Sequence, residues 1–199
     1  LNKLTSVWGQ YMPDNNEALF RGDVKLEHPK FVLTTDTLSY NTATYQADLV
    51  SDTRIVYEHE TTILSSNGWY NTQTEHSMLL DRSLILHADG MTLTGDTIYY
   101  DKQAGYGKVY GNMQSVDSTN HMTLYGDKGE IWESDNHGYV TDSAMLVEWS
   151  DSLMNIYMHA DTLFTDQIPY QRRDLIRKDS VWVDSVWQHP APDTIWVDT

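Results

Sequence analysis

The chain contains no cysteine, three phenylalanines, five prolines and few positive charges. Without cysteine there is neither thiol catalysis nor disulfide stapling. That is compatible with a reducing cytosol and equally with an envelope protein held by its core alone. Thirteen Lys and Arg stand against 29 Asp and Glu, a formal net charge of -16. Nucleic-acid binding relies on clustered cations that neutralise phosphates, so that class is excluded, and an anionic leaflet repels such a chain. No apolar run approaches the roughly 18 residues of a membrane-spanning helix, and mean hydropathy is -0.53. No leader-like pattern opens the sequence and Leu1 is not an initiator methionine, so it reads as a mature or trimmed piece, any export signal being lost from view. Its 199 residues, 40% of them hydrophobic, suit one packed domain.

What the sequence does contain is internal repetition. Leu4-Thr-Ser-Val-Trp-Gly-Gln-Tyr11, Leu33-Thr-Thr-Asp-Thr-Leu-Ser-Tyr40 and Leu64-Ser-Ser-Asn-Gly-Trp-Tyr70 align with one another. So do Leu93-Thr-Gly-Asp-Thr-Ile-Tyr-Tyr100, Leu124-Tyr-Gly-Asp-Lys-Gly-Glu-Ile-Trp132 and, more loosely, Met158-His-Ala-Asp-Thr-Leu-Phe164. The opening residues step by 29, 31, 29, 31 and 34. Downstream, Ala18, Ala47, Ser77, Gly107 and Tyr139 form a second column, and Phe20, Leu49, Leu79, Val109 and Val140 a third. Columns that keep one period over most of a chain are the signature of a repeat architecture.

Each unit reads as two short strands. Thr, Tyr, Val, Ile and Trp are abundant, Val24-Lys-Leu26 and Val147-Glu-Trp149 alternate, and turn residues follow at Tyr40-Asn-Thr, Tyr70-Asn-Thr and Tyr100-Asp-Lys-Gln-Ala-Gly105. No 3.6-residue period is sustained between residues 1 and 165. The expected class is all-β: repeats of about 30 residues stacked so that neighbours bury each other's apolar faces. Six rungs at 4.8 Å would stand about 25–30 Å tall, with open edges at both ends. The repeat region is expected over 1–165, followed by a Trp- and Asp-rich tail or linker over 166–199.

These residues carry a family likeness. Leu33-Thr-Thr-Asp-Thr-Leu-Ser-Tyr-Asn41, Ser65-Ser-Asn-Gly-Trp-Tyr-Asn-Thr72, Leu93-Thr-Gly-Asp-Thr-Ile-Tyr-Tyr-Asp101, Tyr110-Gly-Asn-Met113, Gly138-Tyr-Val-Thr-Asp-Ser-Ala144 and His159-Ala-Asp-Thr-Leu163 resemble the OstA-like, LptA-type proteins of lipopolysaccharide transport. The larger Bacteroidetes-type members are the nearer likeness, over about residues 4 to 165. The resemblance implies an open, folded-over β-jellyroll whose apolar groove takes the acyl chains of lipopolysaccharide. It further implies a periplasmic location, outer-membrane biogenesis as the context, other envelope transport components as partners and head-to-tail homo-oligomers. Alternation together with the resemblance nominates Leu33, Leu38, Leu64, Leu93, Ile98 and Leu124 as inward groove residues. No catalytic residue, metal or cofactor is expected.

Sharper chemistry has a plainer rival at each place. The recurrent Asp36, Asp96, Asp127 and Asp161 could form a metal or catalytic ladder, and Asp96 with Asp127 could pair as in a glycan-cleaving solenoid. Capping of turns by their carboxylates is the expectation. Glu58-His59-Glu60 reads as a solvated strand end, and no HExxH, P-loop or G-x-S-x-G is present. The aromatic column Tyr11, Tyr40, Tyr70, Tyr100 and Trp132 is expected to pin strand register rather than line a ligand surface. In the tail, Asp179-Ser-Val-Trp182, Asp184-Ser-Val-Trp187 and Asp193-Thr-Ile-Trp196 repeat one tetrapeptide after Arg172-Arg173 and Arg177-Lys178. It reads as a low-complexity linker or as strands that add to an exposed edge. The functional alternatives to a lipid carrier are a structural β-repeat module without a ligand and, less favoured, a carbohydrate-active enzyme.

Overall fold

A computed structural model describes residues 3–134, 137–149, 155–166, 181–183 and 186–188. Every regular element described is a strand. In order they are β1 (Lys3–Thr5), β2 (Trp8–Met12), β3 (Glu17–Glu27), β4 (Phe31–Asn41), β5 (Gln46–Leu49), β6 (Thr53–Tyr57), β7 (Thr61–Ser65), β8 (Asn67–Asn71) and β9 (His76–Leu80). There follow β10 (Ser83–His87), β11 (Met91–Gly95), β12 (Thr97–Asp101), β13 (Tyr106–Asp117), β14 (Met122–Trp132), β15 (His137–Glu148) and β16 (Ile156–Asp166). These sixteen form one antiparallel sheet within a compact unit spanning Leu1–Thr165. A second unit, Asp166–Thr199, contains the hairpin of β17 (Val181–Val183) and β18 (Val186–Gln188), in which Trp182 is the register partner of Trp187. The Arg and Lys cluster and Trp196 lie outside the described residues.

The sheet is folded over along one line. β4 pairs with β6 through Phe31–Thr35 but with β5 through Leu38–Asn41, and β13 likewise divides between β11 and β12. Each long strand therefore begins in one wall and ends in the other. The tyrosine wall comprises β2, β5, β8, β9 and β12 with one half of each long strand. The isoleucine wall comprises β1, β6, β7, β10 and β11 with the other halves. The backbone makes the corner by placing consecutive residues in the left-handed region: Gly22 and Asp23, Asp81 and Arg82, Gly111 and Asn112, Asp142 and Ser143. Gly, Asn and Asp enter that region at least cost. Where the strand is continuous, register shifts at Arg21/Val24, Tyr110/Met113 and Tyr125/Lys128 mark the same corner as β-bulges.

Each repeat thus runs out along both walls and back again, so its two strands add two rungs to each wall. The tyrosine wall holds five short strands and halves of six long ones. At 4.8 Å per strand those eleven rungs stand about 50 Å tall, near twice the height expected from one rung per repeat.

A column of side chains on the tyrosine wall alternates large and small: Tyr11, Ala18, Tyr40, Ala47, Tyr70, Ser77, Tyr100, Gly107, Ile131, Gly138. Each ring spreads over its small cross-strand neighbour, the packing that holds register in a sheet. In the fifth copy Ile131 and Gly138 occupy the positions that aromatic matching assigned to Trp132 and Tyr139. Strand side chains alternate faces, so those two rings, one residue further on, project from the outer surface.

There Trp132 sits 5.3 Å from Tyr106 and 6.0 Å from Tyr139, ring centre to ring centre. Among them Glu130 takes a hydrogen bond from the Tyr106 hydroxyl (2.8 Å) and pairs with Lys108 and Lys128, both at 3.2 Å. Burial pushes its carboxyl up, but hydrogen bonds from Tyr106, Tyr139, Lys108 and Lys128 outweigh this and hold it at about 2.

Two outcomes are expected. Gly111 has φ +73, within a degree of Gly22 at +74, and an added Cβ would lie 2.5 Å from Asp96 Oδ2. Gly111→Ala should cost about 1–2 kcal/mol from the backbone alone, read as a lowered urea midpoint. A carboxyl held below its ordinary value stabilises the fold above that value and loses the effect as pH falls through it, here from 4.5 towards about 2. Urea midpoints measured across that window should fall in the parent and flatten in Glu130→Gln, with the variant already weaker at neutral pH.

Candidate functional site

The interior between the walls is built from three parallel columns. Nearest the corner run Val24, Thr35, Thr53, Ser65, Ser83, Gly95 and Met113, with Gly126 paired to Met113. The walls converge here, which favours small side chains: a Cβ on Gly95 would lie 2.2 Å from Val109 Cγ1 of the opposite wall. Hydroxyls buried in this column satisfy one another, Thr53 donating to Thr35 Oγ1 (2.9 Å) and Ser83 to Ser65 Oγ (2.8 Å). Among the described residues no buried side-chain polar atom lacks a partner.

The middle column is apolar on both walls. On the isoleucine wall it comprises Leu4, Leu26, Leu33, Ile55, Ile63, Ile85 and Leu93, then Ser115, Leu124 and Leu146. Facing it are Leu38, Leu49, Gly68, Leu79, Ile98, Val109, Gly129 and Val140. The two sides differ in burial. Leu38 and Leu49 are 1% exposed and Ile98 4%, whereas Ile55, Ile63, Ile85, Leu93 and Leu124 are half-buried although they face the opposing wall. An apolar strip on one inner face, unbroken from Ile55 to Leu93 and interrupted by Ser115 before Leu124, is thus left partly open along several rungs.

Of the nominated groove residues, Leu33, Leu38 and Ile98 lie buried in the interior, and Leu93 and Leu124 lie on the half-open strip. Leu64 does not face inward. It pairs with Arg54 and Leu84 on the outer surface of the isoleucine wall, where it is 37% exposed, and Ile63 takes the inward place. Alignment of repeats by their leucines chose the wrong member of Ile63-Leu64; with a period of two, one residue reverses the face. The true column steps by 30 through Leu33, Ile63 and Leu93, and again from Ile55 to Ile85. That doubled period was the signal available for Ile55, Ile63 and Ile85, none of which had been nominated.

The third column lies at the mouth. Phe31 and Tyr57 are register partners on the isoleucine wall. Phe31 meets Tyr70 of the opposite wall edge-on, ring centres 6.2 Å apart, and Lys102 Nζ lies 4.1 Å from the centre of the Tyr57 ring. Tyr100 donates its hydroxyl to Glu133 (3.0 Å). Burial first, and Glu133 next, push that phenol up to about 12.

The recurrent aspartates sit on the corner, not in the turns. Asp36 accepts from Thr37 Oγ1, and Asp96 accepts from Asn112 Nδ2 (2.6 Å) beside Arg82 (3.6 Å). Capping of the end turns falls to Asn41, Asn71, Asp101 and Asp117, whose side chains take backbone N–H groups two and three residues on, or three alone for Asp101. Glu58 and His59 both adopt positive φ within a turn. Among the described residues no group of three or more His, Asp or Glu side chains converges as a metal site. No described helix is long and apolar enough to cross a membrane.

Comparison with known proteins finds two similarities. A solved structure similar to the chain is LptH, the LptA-homologous periplasmic component of the conserved lipopolysaccharide transport device of Pseudomonas aeruginosa. It shares 11% identity over 79% of this chain and 94% of its own, with a TM-score of 0.32. No curated protein sequence matches. The family model described as OstA-like protein matches residues 1–36 and 23–86. Over those first repeats the chain is similar to OstA-like proteins, the likeness that its recurring segments also carry.

Proposed function

We propose that the chain is a non-catalytic periplasmic carrier that binds the lipid portion of lipopolysaccharide between its walls and passes it towards the outer membrane. The observation that carries this reading is the half-buried strip of Ile55, Ile63, Ile85, Leu93 and Leu124. Apolar side chains that face an opposing sheet without being sealed by it gain about 25 cal/mol for each Å² covered, and acyl chains supply that cover. Its unbroken run across four rungs, Ile55 to Leu93, suits a long, flexible hydrocarbon better than a compact ligand. The OstA-like match supports the same reading. Exposed Val7, Trp8 and Tyr11 on the first rungs, and Ile156, Tyr157 and Phe164 on β16, suit stacking against another copy or another transport component.

A ligand-free structural module is the second reading. It is favoured by the tight packing of Leu38, Leu49 and Leu79 and by the contact of Phe31 with Tyr70 across the mouth.

Photo-crosslinking separates the two. With a photoreactive residue at Leu93 or Leu124 and purified lipopolysaccharide added, a covalent adduct is expected on a gel, and none at the outward-facing Leu64. Equal labelling at all three sites, or none in a folded protein, would favour the structural module.

A further inference from the structure

Cations are scarce in this chain, and two of them meet at the mouth. Lys30 closes the turn between β3 and β4 at the free end of the isoleucine wall, while Lys102 opens the turn between β12 and β13 at the free end of the tyrosine wall. Lys30 directly precedes Phe31, Phe31 is the register partner of Tyr57, and the Lys102 ammonium lies 4.1 Å from the centre of that same Tyr57 ring. The pair therefore spans the opening of the apolar interior, one lysine from each wall.

Both are held there by their backbones. The Lys30 N–H donates to His28 Nδ1 (3.2 Å), its carbonyl accepts from Glu58 N–H (2.7 Å), and the His28 ring stacks on Phe31 at 4.7 Å. Lys102 N–H reaches the carbonyl of Glu75. Yet among the described residues no carboxylate forms an ion pair with either ammonium, although the chain carries 29 acids. The other lysines at the surface show the contrast: Lys3 and Lys25 pair with Glu27, and Lys108 and Lys128 with Glu130. Burial first, and then the nearby charge of Lys30, hold Lys102 below its ordinary value, as expected of two like charges gathered without a counterion.

We propose that Lys30 and Lys102 form a phosphate-binding clamp across the mouth of the groove, seating the phosphate of an amphiphile whose hydrocarbon lies on the strip below. This rests on the reading of the interior as a lipid groove. A phosphate satisfies both ammonium groups at once with charge-assisted hydrogen bonds, and the half-buried setting of Lys102 strengthens them. The arrangement also gives so acidic a protein a place for a phosphorylated lipid: acids at the mouth such as Asp101 and Glu133 engage His76 and Tyr100, and these two cations are left without a carboxylate partner among the described residues.

Calorimetric titration of the full chain tests it with three probes: octyl phosphate below its micellar concentration, octanol, and inorganic phosphate. Octyl phosphate is expected to bind more tightly than octanol. The double variant Lys30→Gln/Lys102→Gln should lose about tenfold in octyl phosphate affinity for each lysine, with octanol binding unchanged. Lys25→Gln, which removes a cation paired elsewhere, should match the parent. Unchanged octyl phosphate affinity in a double variant with parental circular dichroism would overturn the clamp. Inorganic phosphate binding as tightly as octyl phosphate, and lost in the double variant, would assign the clamp to free phosphate and overturn the lipid source. Failure of octanol to bind the parent, with lysine-dependent phosphate binding intact, would overturn the groove alone.

Discussion

Everything in this molecule depends on the corner. A flat antiparallel sheet of this height would expose both faces to water. Paired left-handed residues at Gly22-Asp23, Asp81-Arg82, Gly111-Asn112 and Asp142-Ser143 bend alternate rungs at one line, so the sheet covers one of its own faces. The intervening rungs cross the line at single positions such as Asp36 and Asp96, and the Asp96 N–H donates to the Gly111 carbonyl across the corner. Because every rung bends at the same place, the inner faces meet in register and three continuous columns result.

Distance from the corner grades those columns. Closest in, the walls nearly touch, and only small side chains fit; Thr35, Thr53, Ser65 and Ser83 bring hydroxyls that bond to each other and leave no orphan. One step out, Leu38, Leu49, Leu79 and Ile98 on the tyrosine wall pack fully, while their counterparts Ile55, Ile63, Ile85 and Leu93 stay half-covered. At the mouth the residues turn aromatic and cationic. The lining therefore changes with distance from the corner, from hydroxyl to hydrocarbon to phenol and ammonium.

The aspartates that recur once per repeat illustrate how a periodic signal can be structural yet differ from its expected role. They mark the bend, with side chains bonded to local partners such as Thr37 and Asn112. The work of capping the end turns belongs to Asn41, Asn71 and Asp101, a second polar column at the free end of the tyrosine wall, and to Asp117 at the free end of the isoleucine wall. Both columns repeat because the fold repeats; neither converges on a metal.

The amino-acid sequence by itself determined the class, the repeat and the family likeness, because each is written in local periodicity: alternating β-prone residues, turn residues at regular steps, and a Tyr-small column that needs only pairwise alignment. Leu33, Leu38 and Ile98 were legible as interior residues for the same reason. Only the tertiary structure decided face and neighbourhood. Whether Ile63 or Leu64 looks inward turns on one residue of register, which cross-strand pairing settles and composition does not. That each strand folds across two walls, doubling the rungs per repeat, follows from where the left-handed pairs align in space. The meeting of Lys30 with Lys102, 72 positions apart in sequence, has no local signal at all, since it is closure of the sheet that brings the two free ends together.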